Sequence, residues 1–316
     1  MPKKTQIAIG KRGGRIAGYH VVDGKLKAYY VDDTPESSSA SSIPEKKEPT
    51  IIHGIRIPPA YSVVWESPTA EGDENGLLVI ALDQKGRKQY VYNQAHWDKV
   101  NAEKWARVRA LVDAMPSIRD GIRRGLTSGD DTERQSFEVL AVIEATGMRI
   151  GSERETFGKV KAYGASTLLV KHLTLTKKSA TFKFIGKEGI PNEFTVDDPI
   201  ILACLRRRLK DVSAYPEVPI WPGASDAKVR KALKAVSPQG LDFKVKDLRA
   251  LKGTMKAVEL VQNSPPPPQP RTKAEFEKAR KFVATACSKI LGNTPKVCLD
   301  SYIPEFVFDP WKLEVA

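Results

Sequence analysis

The spacing of apolar positions changes character near residue 98. Ahead of it, apolar residues fall in short alternating or clustered runs: "GYHVVDGKLKAYYV" (18–31), "YSVVWES" (61–67), "GLLVIALD" (76–83) and "KQYVYN" (88–93). Runs of this kind bounded by Gly, Asp and Asn predict β-strands, and the first predicts a hairpin turning at Asp23-Gly24. Between the first run and the others, "DDTPESSSASSIPEKKEPT" (32–50) is polar and rich in Ser and Pro, the composition of a flexible linker. Beyond residue 98 the period lengthens. "WDKVNAEKWARVRALVDAM" (97–115) brings Trp105, Val108, Leu111 and Val112 to one side of a helix. "DDTERQSFEVLAVIEATG" (130–147) predicts a helix capped at Asp131 or Thr132 and stopped by Gly147. Its centre is apolar all round, which predicts burial.

Three strand-like runs follow, "STLLVKH" (166–172), "ATFKFIG" (180–186) and "EFTV" (193–196). Helices resume at Asp198-Pro199, after Ser225, and over 245–261, where Leu248, Leu251, Met255 and Val258 are in step. "SPPPPQP" (264–270) cannot be helical. A last long helix runs from Thr272 to Gly292, and Thr294-Pro295 is suited to start another. The pattern predicts an α+β protein of two domains: a small antiparallel β-rich N-terminal domain (51–98) and a mainly helical C-terminal domain (99–316) with a small inserted sheet. Residues 1–50 would form a basic hairpin and linker ahead of both.

Charge narrows the function. The chain has 316 residues with 51 Lys+Arg against 38 Asp+Glu, a net +13. A field that positive points first to nucleic acid and second to an anionic membrane. No run of 18 apolar residues is present, so no transmembrane helix is expected, and the basic N-terminus lacks the apolar core of a signal peptide. Three cysteines, Cys204, Cys287 and Cys298, make no disulfide framework and read as buried thiols in a reducing compartment. Histidine is absent after His172, and no P-loop, GxGxxG, HExxH or EF-hand is present. The expectation is no cofactor, no metal and no bound nucleotide.

Four stretches carry candidate chemistry: "TGMRIGSE" (146–153) with Arg149, "FKFIGKEG" (182–189) with Lys187, "KVKDLRALKG" (244–253) with Lys246 and Arg249, and "LGNTPKVCLDSYI" (291–303) with Asn293 and Tyr302. Each alone reads first as a solvated or packed residue. Together, two arginines, an amide and a lysine can surround a phosphodiester, binding its non-bridging oxygens where transition-state charge builds. A tyrosine hydroxyl can then attack phosphorus. Free tyrosine ionises only near pH ~10, so neighbouring cations must favour the phenolate.

The order Arg149, Lys187, Lys246-x-x-Arg249, Asn293, Tyr302 resembles the type IB DNA topoisomerases, specifically the small poxvirus-like and bacterial group. "IRIPPAY" (55–61) and "DQKGRKQYVYN" (83–93) are similar to that group's N-terminal β-domain. The resemblance implies the fold shared by tyrosine recombinases and type IB topoisomerases. It implies that Tyr302 forms a 3′-phosphotyrosyl link to one DNA strand, that Arg149 and Arg249 clamp the scissile phosphate, and that Lys187, assisted by Lys246, protonates the 5′-hydroxyl leaving group. Arg87, Lys88, Tyr90 and Tyr92 match the region of that domain that touches DNA. A monomer closing as a clamp on double-stranded DNA is implied, cytoplasmic and DNA-associated, in a nucleoid or, for a viral source, a virion or viral factory. Two departures stand out. Asn293 occupies a position where poxvirus members carry histidine, and its amide donates a hydrogen bond without positive charge. Ser152 and Glu155 replace a lysine and a tyrosine that read sequence in poxvirus members, which implies weaker site preference. Two alternatives remain: a tyrosine recombinase or integrase, which usually carries His-x-x-Arg where Lys246 stands here, and a non-catalytic DNA-binding protein.

Overall fold

The computed structural model describes residues 15–22, 25–31, 50–84, 86–152, 161–210, 212–263 and 272–311. The Asp23-Gly24 turn, most of the 32–50 linker, Glu155 and the proline run lie outside them. The chain divides into two compact units, Met1–Ala102 and Glu103–Ala316.

In the first unit, β1 (Arg15–Val22) and β2 (Lys25–Val31) pair antiparallel with Val22 opposite Lys25, the register the predicted hairpin requires. A second hairpin, β3 (Thr50–Ile52) and β4 (Ile55–Ile57), was not predicted: each strand is three residues, too short for a period to show. It turns at His53-Gly54, both with positive φ (49° and 76°), the geometry of a tight primed turn. The three runs that follow are β5 (Ser62–Glu66), β6 (Leu77–Leu82) and β7 (Lys88–Tyr92), an antiparallel sheet with β6 in the centre. Ile52, Ile57, Leu78, Val79 and Ala81 form its core, with Val91 of β7 packed against them. Strand alternation sends Tyr90 and Tyr92 to the opposite face from Val91. Asn93 ends the sheet: its N–H donates to the Gly76 carbonyl (2.8 Å), and its side chain caps the next helix by accepting from His96 N–H (2.9 Å).

That helix, α1 (Gln94–Gly125), is longer than predicted and continues through Pro116. Its buried stripe is Val108, Leu111, Met115, Ile118 and Ile122; Val112, expected in that stripe, is 46% exposed at its edge. α2 (Asp131–Thr146) is the central buried helix, with Val139, Leu140, Val142 and Ile143 almost fully enclosed. Its cap is Asp130 rather than Asp131 or Thr132: Asp130 accepts from Glu133 N–H (2.9 Å), while the Asp131 carboxylate is held by Arg208 (2.7 and 3.1 Å). Gly147 closes α2 in the left-handed region, as expected.

"STLLVKH" is not a strand. It forms two 3-10 turns, Ala165–Thr167 and Val170–His172, because its backbone donors go to the 216–218 segment: Val170 N–H to Val218 O and Lys171 N–H to Pro216 O, each 2.9 Å. The inserted sheet is β8 (Leu173–Leu175), β9 (Ala180–Ile185) and β10 (Pro191–Val196), antiparallel with β9 central. α3 (Pro199–Leu209) and α4 (Asp226–Val236) start at the predicted caps, Asp198 and Ser225. Then come α5 (Val245–Asn263), α6 (Lys273–Leu291), α7 (Pro295–Tyr302) and a 3-10 segment, Glu305–Trp311. On α5, Leu248 and Leu251 are buried as expected, but Met255 is 53% exposed. The main core joins α1 to α5 and the sheet, and a second core joins α5, α6, α7 and the 3-10 segment. Tyr302 packs against both. All three cysteines are free and buried. The α+β class expected from the pattern is the class observed.

Candidate active site

The second unit builds its site around the first turns of α5. Asp247, fully buried, holds that helix start: its Oδ2 accepts from Lys244 N–H (3.0 Å) and from Arg107 Nε (3.0 Å) on α1. Lys246 and Arg249, three residues apart, do not share an environment. Lys246 is exposed, whereas Arg249 is 3% exposed. Arg249 donates from Nη1 to the Gly147 carbonyl (2.5 Å) and from Nη2 to the Leu291 carbonyl. Gly147 ends α2 and Leu291 ends α6, so one guanidinium joins the C-termini of two helices, where carbonyls lack helical partners and carry partial negative charge. Burial pushes the Arg249 guanidinium's pKa down; the Tyr302 phenol beside it acts to raise it, and the Arg149 charge to lower it. The guanidinium carbon lies 5.0 Å from the Tyr302 ring centroid. Arg249 Nε is enclosed without a partner.

Arg149 follows Gly147 by two residues and is half-buried. Its carbonyl accepts from Ala165 N–H (2.8 Å), and the next carbonyl, Ile150, accepts from Ser166 N–H (2.7 Å) and Ser166 Oγ (2.8 Å). Gly164 makes this approach possible: a Cβ there would lie 2.5 Å from Gly151 N and 2.7 Å from Arg149 O. Ser152 is exposed beyond it and has partners of its own.

The stretch from Leu291 to Tyr302 folds as its residues predict. Gly292 closes α6 at φ 58°, Thr294 Oγ1 accepts from Val297 N–H (3.3 Å), and Pro295 takes the first helical position of α7. Tyr302 is the last residue of α7, half-buried, with its carbonyl accepting from Thr254 Oγ1 (3.2 Å). Gly253 of α5 lets α7 come close: a Cβ there would lie 3.0 Å from both Tyr302 Cβ and Leu291 Cδ1. Asn293 presents an amide whose Oδ1 and Nδ2 are both enclosed with no hydrogen-bond partner. A buried amide with neither end bonded is costly unless something else meets it.

Lys187 opens the 3-10 turn Lys187–Gly189 between β9 and β10 and is exposed. That turn is closed by Gly186 N–H to Ile190 O (2.8 Å) and meets the Gly292 turn through a residue that sequence reading missed, Asn192. A Cβ on Gly186 would lie 2.3 Å from Asn192 Nδ2, and one on Gly292 would lie 1.9 Å from Asn192 Oδ1. The only advance signal was two glycines, each just before a candidate residue. The structure therefore brings Arg249 against Tyr302, lets the Arg149 charge act on Arg249, and sets the glycines that precede Lys187 and Asn293 against Asn192. Lys246 stands apart, exposed; its charge acts on Lys104 of α1, whose ammonium is pushed down to about 8 by burial and then by Lys246.

In the first unit, the candidate contact residues lie on and beside β7. Tyr90 is 48% exposed, and Tyr92 stacks on His96 at 3.9 Å between ring centroids, with Trp97 edge-on at 6.0 Å. His96 and Trp97, not singled out in the sequence, enlarge this aromatic surface because α1 begins directly after the strand. Arg87 is paired with Asp83 (2.7 Å) at the turn into β7, and Lys88 is half-buried with partners of its own. Among the described residues, no group of three or more His, Cys, Asp or Glu side chains is arranged to hold a metal ion.

Residues 87–296 match the family model described as the eukaryotic DNA topoisomerase I catalytic core. The matched stretch contains every candidate residue except Tyr302, which lies beyond its end. DNA topoisomerase 1B of Acanthamoeba polyphaga mimivirus is 25% identical over 304 residues, covering 92% of this chain and 86% of the viral one. DNA topoisomerase 1B of vaccinia virus (strain Copenhagen) is 21% identical over 282 residues, covering 88% of this chain and 82% of its own. Among solved structures, the XerH site-specific recombinase bound to palindromic difH substrate overlays with a TM-score of 0.39 and 15% identity, covering 62% of this chain and 49% of that one.

Proposed function

This chain belongs to the DNA topoisomerase I catalytic-core family as a type IB enzyme of the poxvirus-like group, and from that membership we propose that it relaxes supercoiled double-stranded DNA through a covalent bond between Tyr302 and a 3′-phosphate, without ATP or a metal ion. The observation that carries this reading is the pairing of Tyr302 with the buried guanidinium of Arg249, 5.0 Å from its ring. A cation fixed in an enclosed site stabilises developing phenolate and phosphorane charge far better than one in water.

The roles proposed are those that the resemblance to type IB topoisomerases implies for these positions. Tyr302 Oη attacks phosphorus as its phenol proton passes to solvent, the P–O bond to the 5′-oxygen breaks, and Lys187 gives that oxygen its proton, with Lys246 assisting. Arg149 and Arg249 bind the non-bridging oxygens. Two Arg249 nitrogens are already committed to main-chain carbonyls, so its share falls to its remaining N–H groups. The unpartnered Asn293 amide supplies a further donor to phosphate oxygen, neutral where a histidine would add charge. The free 5′-hydroxyl then attacks the phosphotyrosyl ester, and the bond energy is conserved throughout, so no nucleotide is consumed. Lys88, Tyr90 and Tyr92, with Arg87, serve as the DNA-facing surface of the first unit, and a monomer closes its two units on the duplex.

The test is plasmid relaxation in EDTA without ATP, with Tyr302→Phe alongside. Wild type should relax both positive and negative supercoils. The variant should bind DNA comparably and trap no covalent adduct, since only the attacking oxygen is removed. A requirement for magnesium or ATP, or an adduct on the Phe variant, overturns the reading.

A further inference from the structure

Asn192 has no role in the chemistry above, yet it occupies the seam between two parts that the chemistry needs in register. It sits on β10 opposite Phe184 of β9. Its Nδ2 donates to the Ile190 carbonyl (2.9 Å), folding the amide back over the turn that carries Lys187. The donor end lies against Gly186 and the acceptor end against Gly292, each so close that a Cβ would fall inside van der Waals contact, 2.3 Å from Nδ2 and 1.9 Å from Oδ1. Gly186 is the residue before Lys187; Gly292 is the residue before Asn293 and leads into the helix that ends at Tyr302.

A planar amide packed between two bare α-carbons is a spacer of fixed thickness. A larger side chain would push the turns apart, and a smaller one would let them collapse or drift. The amide also has a set orientation, because the Ile190 carbonyl accepts only from its nitrogen end. Resting on the reading of Lys187 and Tyr302 above, we propose that Asn192 is a positioning residue for strand cleavage, setting the distance between the leaving-group acid on Lys187 and the Asn293–Tyr302 segment that holds the phosphate and the nucleophile.

The consequence is specific to one half of the reaction. A misplaced Lys187 fails to protonate the departing 5′-oxygen, while attack by Tyr302 is untouched. Replacing that oxygen by sulfur gives a leaving group of much lower pKa that departs without a proton, so it removes the need for the acid.

The experiment is single-turnover cleavage of two duplexes, one with the natural 5′-oxygen and one with a 5′-bridging sulfur at the scissile phosphate. Wild type, Asn192→Ala, Gly186→Ala and, as the reference for a lost acid, Lys187→Ala are compared, with DNA affinity and melting temperature measured in parallel. Gly186→Ala is a second route to the same displacement: its φ of −92° suits any residue, and the added methyl meets the Asn192 amide end. We expect both Asn192→Ala and Gly186→Ala to slow cleavage of the oxygen substrate on the order of 10- to 100-fold, as small misplacements of catalytic groups do. On the sulfur substrate both should recover to within about threefold of wild type, as Lys187→Ala does, with affinity unchanged. Equal slowing on both substrates in either variant, or no slowing in both, overturns the proposal while leaving the function intact. Absence of a covalent adduct from wild type on either substrate would instead overturn the functional reading itself.

Discussion

Two cations at the head of α5 show how differently one helix treats neighbouring charges. Arg249 is buried because the ends of α2 and α6 offer it carbonyls, and it stays beside Tyr302 for that reason. Lys104 faces this helix start from α1 with fewer compensations. Its ammonium lies 4.0 Å from the Trp105 ring, a contact that favours the charged form, and Asp247 favours it too. Burial and the like charges of Lys246 and Arg107 outweigh both and lower the pKa from 10.5 to about 8. Below about 8 the lysine is charged in the folded and unfolded chain alike, and the folded state bears the whole cost. As pH rises from about 8 towards 10.5 the folded protein releases this proton first, so the cost is relieved and stability rises. Lys104→Met, which keeps the apolar stem, should therefore raise the melting temperature near neutrality, and its advantage should close as pH approaches 10.5. Melting curves of both proteins across that range check this; a constant difference would mean that the ammonium is not the cause.

Among the elements, α7 carries the proposed nucleophile, and it is short. It stays in place because α5 presents Gly253 to it and Thr254 bonds the Tyr302 carbonyl. Gly253→Ala sets a methyl 3.0 Å from Leu291 Cδ1 and Tyr302 Cβ and 3.1 Å from the Tyr302 carbonyl oxygen. The leucine can turn away, but the backbone of α7 cannot. The expected result is a loss of about 1–3 kcal/mol by chemical denaturation, and a larger fall in adduct formation than in DNA affinity. Unchanged cleavage would show that α7 tolerates displacement. The capping of α7 by Thr294 and its start at Pro295 were legible in the sequence, as were the stops at Gly147 and Gly292, because each depends on a local backbone requirement. "STLLVKH" misled because its hydrogen-bond partners are some 45 residues away, at 216–218, and no local pattern records them.

For the whole molecule, the net charge of +13 and the exposed aromatic face of β7 suit a protein that grips the DNA backbone with little dependence on sequence. Binding to plasmid or to a random duplex should then weaken steeply as salt rises. The slope of log affinity on log salt should gain about 0.9 for each phosphate neutralised. A slope near zero in a fluorescence titration would contradict a phosphate clamp. The aromatic residues should hold part of the affinity at high salt, since stacking and apolar contact do not depend on released counterions.

The sequence by itself determined the α+β class, the excess of positive charge, the caps and stops at Gly147, Asp198, Ser225, Gly292 and Thr294, and the candidate set Arg149, Lys187, Lys246, Arg249, Asn293 and Tyr302. Those depend on periodicity, caps, breakers and the order of a few motifs, all of which are local. Only the tertiary structure decided that Arg249 is buried while Lys246 is exposed, and that Arg249 ties Gly147 to Leu291 across separations of 102 and 42 residues. It alone brought Asn192 between the glycines that precede Lys187 and Asn293. Contacts of that kind arise from how helix ends and turns pack against one another, and the sequence shows only the two glycines, not the amide that packs between them.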